Sequence, residues 1–279
     1  MAVTGVSDVG VAIQKVVSAL TTKTLIQESV ALSIPGVWDR SNEVAEGMDR
    51  LDMLELAELA TQDVNELGGD MTPQTINPSK AELDLDRHKS IAFSVTKRGN
   101  LQSKIALVSK TVETAVRTLA NEVDDAIFAE MVSAAKTTNT VAGADALEDI
   151  LNLKEQFDLD NVPKAGRALI ASPVFMSVVL GTNSVIKANE FGSAEGIRAG
   201  LVGSIFGIEI FESSSASIPN DGFVACGMEA VAFARQRAVE FEEEKKVLGQ
   251  RSDYALTHLY GVQSTKTSLN PRIYVHNPA

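Results

Sequence analysis

The apolar positions of this 279-residue chain change period along its length, and each change predicts a different element. From Lys80 the alternation is strict: Ala81, Leu83 and Leu85 alternate with Glu82, Asp84 and Asp86, and after Arg87-His88-Lys89 a second run places Ile91, Phe93 and Val95 on one face. Period two marks half-buried strands, so the two runs predict a hairpin. Between Leu101 and Ala142 there is neither glycine nor proline, and Val112, Val116, Leu119, Val123, Ile127 and Met131 recur at helical spacing. The pattern predicts a long amphipathic helix. Over Ser109 to Ala135 it would run about 40 Å at ~1.5 Å per residue, longer than a small domain is wide, and so would act as a spine. Asp145 and Glu148 have the spacing of a capping box for a second helix through Phe157.

Elsewhere the pattern is shorter-ranged. Residues 1–40 alternate apolar pairs such as Val16-Val17 with Ser and Thr until Ile34-Pro35-Gly36, which reads as an arm or a first helix. Leu51, Leu54, Leu59 and Val64 among acids predict an amphipathic helix from Asp49 to Leu67, ended by Gly68-Gly69; Pro73 and Pro78 follow. Ala168 to Ala171 is a short apolar strand, Ser172 can accept from a free backbone N–H, and Pro173 suits the first helical position. Gly200, Gly203 and Gly207 allow tight turns before a strand at Ile208 to Phe211, whose Ile208 and Ile210 share a face. Phe223 to Cys226 reads as a buried strand. Tyr254, Leu256, His258, Tyr260 and Val262 share one face of another, and Arg272 to His276 forms a last one. A helix-and-strand frame that is left for a mixed domain and then rejoined is an α+β arrangement with an inserted domain.

Charge narrows the function. Lys and Arg number 25 against 37 Asp and Glu, a net charge of −12, so a sequence-independent grip on nucleic acid phosphates is not expected. Nine acids lie between Ser41 and Asp70 with Arg50 as the only base, which reads as a solvated face or as an element that meets a basic partner. The lone Cys226 allows no intramolecular disulfide and fits a reducing compartment. No apolar run is long enough to span a bilayer and no secretory signal pattern opens the chain, so a soluble protein made in the cytoplasm, without a membrane partner, is expected.

Candidate chemistry is thin. His88, His258 and His276 stand far apart and none pairs with Cys226 at zinc spacing, so neither a metal nor a cofactor is expected. The glycines from Gly200 to Gly207 lack both the dinucleotide spacing and a Gly-Lys-Ser/Thr phosphate loop, and no Gly-x-Ser-x-Gly occurs. Asp158 with Asp160, and Glu242 to Glu244, read as solvated charge; His258 reads as a packed residue. No catalytic residue is expected.

The run from Asn161 to Pro173, with Gly166-Arg167, the apolar strand and the proline-led helix, followed by the glycine-rich turn and strand from Gly200 to Ser213, resembles the central domain of tailed-bacteriophage major capsid proteins. Ala230 to Gln236, the acidic segment after it, the tyrosine-glycine strand and the closing Pro271-Arg-Ile-Tyr-Val also have counterparts there. The resemblance implies the Hong-Kong-97-type capsid fold: an N-terminal arm over 1–67, an extended loop over 68–100, a peripheral domain over 101–142 and 247–279, and an axial domain over 143–246. It implies a structural coat protein that assembles as pentamers and hexamers into an icosahedral virion shell around double-stranded DNA, after assembly in the host cytoplasm. Its partners would be further copies of itself, a portal, a separate scaffolding protein, a decoration protein and, non-specifically, packaged DNA. The separate scaffold is expected because the chain starts at its arm. The extended loop would lie over a neighbour, which makes Leu83, Leu85, Arg87, Lys89, Ile91, Phe93 and Val95 candidate interface residues, the apolar ones contributing more than the ionic ones. Some relatives crosslink through a lysine; Lys89 and Lys97 lie in the right region, but no motif singles them out. An encapsulin-type cargo compartment shares the fold, and an enzyme is the reading of another class.

Overall fold

The computed structural model describes residues 24–25, 29–45, 47–55, 73, 75, 79–102, 107–138, 145–181, 201–265 and 272–277. Its organising element is a helix of 28 residues, α2 (Leu107–Ala134), preceded by the short α1 (Lys97–Gln102). This is the spine that the spacing predicts. Val116, Leu119, Val123, Ile127 and Met131 are all buried along it.

Two sheets pack against the spine. The first has the order β1 (Val37–Asp39), β10 (Val231–Lys246), β11 (Arg251–Ser264), β4 (Arg87–Thr96). The second has the order β5 (Lys136–Thr137), β12 (Ile273–His276), β9 (Phe223–Cys226), β6 (Ala168–Ala171), β8 (Ile208–Glu212), β7 (Leu201–Ile205). One face of the second sheet, with Ala168, Ile170, Phe211, Val224, Cys226 and Ile273, joins the spine's Val123, Ile127, Phe128 and Met131 in one core. The other face, with Leu169, Ala171, Ile208, Ile210, Phe223, Ala225 and Tyr274, is covered by α3 (Ala146–Leu159) and α4 (Pro173–Gly181). That is why β6 and β9 are apolar at every position: strands buried on both faces do not alternate.

The Ser172 cap and the turn at Gly207 are as expected, whereas the capping box and a turn at Gly203 are not. The Phe175 N–H donates to Ser172 Oγ at 3.2 Å, with Pro173 opening α4. Asp145 is the N-cap of α3, but its carbonyl accepts from the Glu148 N–H at 2.8 Å and the Asp149 N–H at 3.1 Å, and its side chain makes no capping bond. Gly207 stands in a tight turn with Phe206, at φ of +80° and +53°, whereas Gly203 lies within β7 beside a register shift and is not a turn residue. Gly200 and residues 1–23 lie outside the described residues.

Two further predictions are corrected. Arg50–Glu55 is a strand, β2, and not the start of a helix. Leu51 and Met53 satisfy period two as well as Leu51 and Leu54 satisfy a helical period, and the apolar surface beneath them decides between the two. The rest of that segment, 56–67, lies outside the described residues. The runs at Ala81 and Ile91 do not pair with each other as a hairpin. β3 (Ser79–Asp84) pairs with β2, from Arg50 opposite Asp84 to Glu55 opposite Ser79, while β4 pairs with β11. Alternation sets which face of a strand is apolar but leaves its partner open. Only Leu85 and Asp86 separate the two strands, and the chain changes layer there. A Cβ on Gly261 of β11 would stand 2.2 Å from the Asp84 carbonyl oxygen, so only glycine allows that crossing.

Candidate assembly surfaces

The two-stranded ribbon β2–β3 rests on the first sheet through a small apolar seat. Leu51, Met53, Leu83 and Leu85 are buried against Ala232 and Ala234, on the face of β10 opposite the spine. Its outer face carries charge, with Arg50 paired to Glu82 at 2.6 Å and to Asp84 at 2.7 Å, and Lys80 paired to Asp52 at 2.8 Å. Hydrogen bonding within these pairs holds the Asp52 carboxyl below its ordinary range and the Lys80 ammonium above its own.

The seven sequence candidates divide between two places. Leu83 and Leu85 lie in the ribbon's seat. Ile91 and Phe93, half-buried, face the first half of the spine with Val116, Leu119, Val239 and Leu256, and Phe93 stacks on Tyr254 at 5.1 Å. Val95 is buried, Arg87 is half-buried, and the exposed Lys89 pairs with Glu122 of the spine. The five apolar candidates therefore spend most of their surface inside their own subunit.

Sequence reasoning missed the large apolar side chains that the subunit leaves in solvent. On α4, Phe175, Met176 and Val179 face the core, whereas Val174 and Val178, one turn apart, are 52% and 54% exposed, and Leu180 is exposed on another side of the helix. At the turn between β10 and β11, Val247 and Leu248 project into solvent, flanked by Lys245, Lys246 and Arg251. The signal for α4 was its lack of a polar side: a helix that is apolar all round is covered on more than one face.

Buried titratable groups occur, but not as a reactive set. His258 is buried on β11, stacked on Tyr260 at 4.9 Å, and is pushed down to about 4 by burial, with the nearby Arg235 adding to the effect. Burial also pushes the Tyr260 hydroxyl and the Cys226 thiol up to about 12 each. His276 stacks on Phe223 at 4.8 Å, with Nδ1 3.3 Å from Thr138 Oγ1 and Nε2 3.6 Å from Asp149. Burial lowers its affinity for a proton although Asp149 opposes the shift, and burial raises the Asp149 carboxyl. Among the described residues, no three His, Cys, Asp or Glu converge to hold a metal ion, and no helix is long and apolar enough to cross a membrane.

No family profile and no curated protein matches the sequence. Solved structures do. A chain from Mycobacterium phage Che8 is 22% identical, with 82% of this chain and 85% of that one covered at a TM-score of 0.65. A chain from the capsid structure of the cyanophage P-SCSP1u is 14% identical, with 85% of both chains covered and a TM-score of 0.65. One from the mature capsid of bacteriophage PhiM1 is 12% identical, with 87% and 85% covered and a TM-score of 0.62. The chain has the α+β Hong-Kong-97-type capsid fold.

Proposed function

We propose that the chain is a structural subunit, the major capsid protein of a tailed phage, which assembles with copies of itself into an icosahedral virion shell around double-stranded DNA. The observation that carries this reading is the similarity, over about 85% of both chains, to a chain from a phage capsid. The physical chemistry agrees with it. Large apolar side chains stand about half exposed on α4 and more fully exposed at the β10–β11 turn. Obligate interfaces bury upward of ~2,000 Å² and draw on apolar contact, so Val174 and Val178 of α4, and Val247 and Leu248 at the hairpin tip, are assigned to contacts between copies. We also propose a change to the expected domain limits: β4 belongs with β10 and β11 in the first sheet, which leaves the extended loop centred on the β2–β3 ribbon.

The test is particle mass by light scattering with negative-stain images of the same fraction. Closed megadalton shells are expected from the full chain, alone or co-expressed with a scaffolding protein. Val178→Asp and Leu248→Asp should each block shells while leaving the circular dichroism of the subunit intact. Wild-type protein that stays monomeric even with a scaffold would overturn the reading.

A further inference from the structure

Asp124, in the middle of the spine, is a carboxylate where packing alone would favour a leucine, with the buried Val123 and Ile127 on either side of it. It is 6% exposed. Its oxygens accept three hydrogen bonds from one short segment: from the Ser29 hydroxyl, from the Val30 N–H at 3.0 Å and from the Ala31 N–H at 3.1 Å. Ser29 Oγ in turn accepts from the Leu32 N–H at 3.3 Å. Beyond this knot, Ala31 and Ile34 enter the core beside Ile127 and Phe128, and the chain continues into β1. The next spine residue, Asp125, holds a different element. The Ser215 hydroxyl donates to its carboxylate and the Ser217 hydroxyl to its carbonyl at 3.2 Å, both from the loop between β8 and β9.

A buried carboxylate is costly unless its lone pairs are filled, whereas an aliphatic residue there would pack without that cost. What a carboxylate adds is direction: three donors 29 to 31 can meet two oxygens in one register only. We propose that Asp124 is a positioning residue that anchors the Ser29–Ala31 segment to the spine in a single register and so fixes, together with Leu25 buried beside Val116 and Leu119, the root of residues 1–23. Burial drives its carboxyl above the ordinary range while Ser29, Val30 and Ala31 draw it back, as expected for a charge kept in the core by its donors alone. The consequence for assembly rests on the function proposed above: with that root fixed, every copy presents residues 1–23 from the same point.

Amide hydrogen exchange on the full chain tests the anchor. Asp124→Ala should speed exchange at Val30 and Ala31 at least about tenfold, Asp124→Asn less because one acceptor oxygen stays, and Ser29→Ala least. Val224 and Ala225 of β9 should be unchanged in all three. Asp125→Ala should loosen the loop at 215–217 and spare Val30 and Ala31. If Asp124→Ala does not fold, the ordering of Asp124→Asn against Ser29→Ala decides alone. Unchanged protection at Val30 and Ala31, or loosening that extends equally to β9, would overturn the anchor. The arm consequence predicts irregular particles or none from Asp124→Asn, and uniform shells from a variant with loosened amides would overturn that step. Wild-type protein that shows this exchange pattern but builds no shell would overturn the proposed function and leave the anchor standing.

Discussion

The paired strands β6 and β9 and the ribbon β2–β3 are both short stretches of sheet, yet they are held in opposite ways. β6 and β9 are buried at every residue, with the spine on one side and α3 and α4 on the other. The ribbon buries only one face, on two alanines of β10, and turns a row of ion pairs outward. The first is covered twice and cannot part without unfolding the subunit. The second rests on a seat of a few side chains, so it can be displaced while the rest stays folded.

Cutting into the doubly covered sheet should have the largest effect. Phe223 is fully buried, in contact with the rings of Phe175 and His276. Phe223→Ala should cost about 3–5 kcal/mol in denaturant unfolding and lower the whole transition. Leu83→Ala in the ribbon, by contrast, should cost about 2 kcal/mol. It should show chiefly as faster protease cleavage between β2 and β3, at a rate that outruns global unfolding. Equal loss of protection in both regions would erase the distinction between them.

Acid probes the spine's own seat. The folded-state value of His258, about 4, lies below the ordinary 6.5, so between these values the unfolded chain binds a proton that the folded one refuses. Stability should therefore be complete above about pH 6.5 and fall as pH drops toward about 4, by about 3 kcal/mol at most, because a tenfold loss of proton affinity corresponds to ~1.4 kcal/mol. His258→Phe should flatten that slope in pH-dependent melting. A slope that survives the substitution would assign it to other groups, His276 first.

The difference between the two regions also explains what could be read from sequence. The spine, the Ser172 cap, β6, β9 and the buried face of β11 were legible because each is dictated by residues within a turn or two of one another. The partner of β3 was not. Leu83 and Leu85 show a face that must be covered, but Ala232 and Ala234, which cover it, lie about 150 residues away and look like any small strand residues. Leu51 and Met53 fit a helix and a strand alike until that seat is known. The exposed Val174, Val178, Val247 and Leu248 stayed hidden because side chains left in water read as ordinary apolar positions. For the β4 candidates the pattern showed an apolar face but not what covers it: Ile91 and Phe93 are half-buried against the subunit's own spine.

A smaller effect belongs to the edge of the second sheet. Gly207 has open space around its Cα, so Gly207→Ala meets no neighbour and acts only through a φ of +80°. That strain should cost about 1 kcal/mol, visible in melting and confined to β7 and β8 in amide exchange.

The smallest effect is expected where the ribbon displays the most interactions. Arg50, Asp52, Lys80, Glu82 and Asp84 form a nearly continuous band of ion pairs, but each side chain is about half exposed, and exposed pairs are screened by salt and offset by the entropy of ordering long side chains. If these pairs held the ribbon down, raising ionic strength would free it as Leu83→Ala does. If the apolar seat holds it, ribbon cleavage in about 1 M salt should match that in dilute buffer, and Arg50→Gln should leave the cleavage rate unchanged. Salt strengthens apolar burial if it does anything, so a ribbon that loosens in salt would reverse the assignment of what seats it.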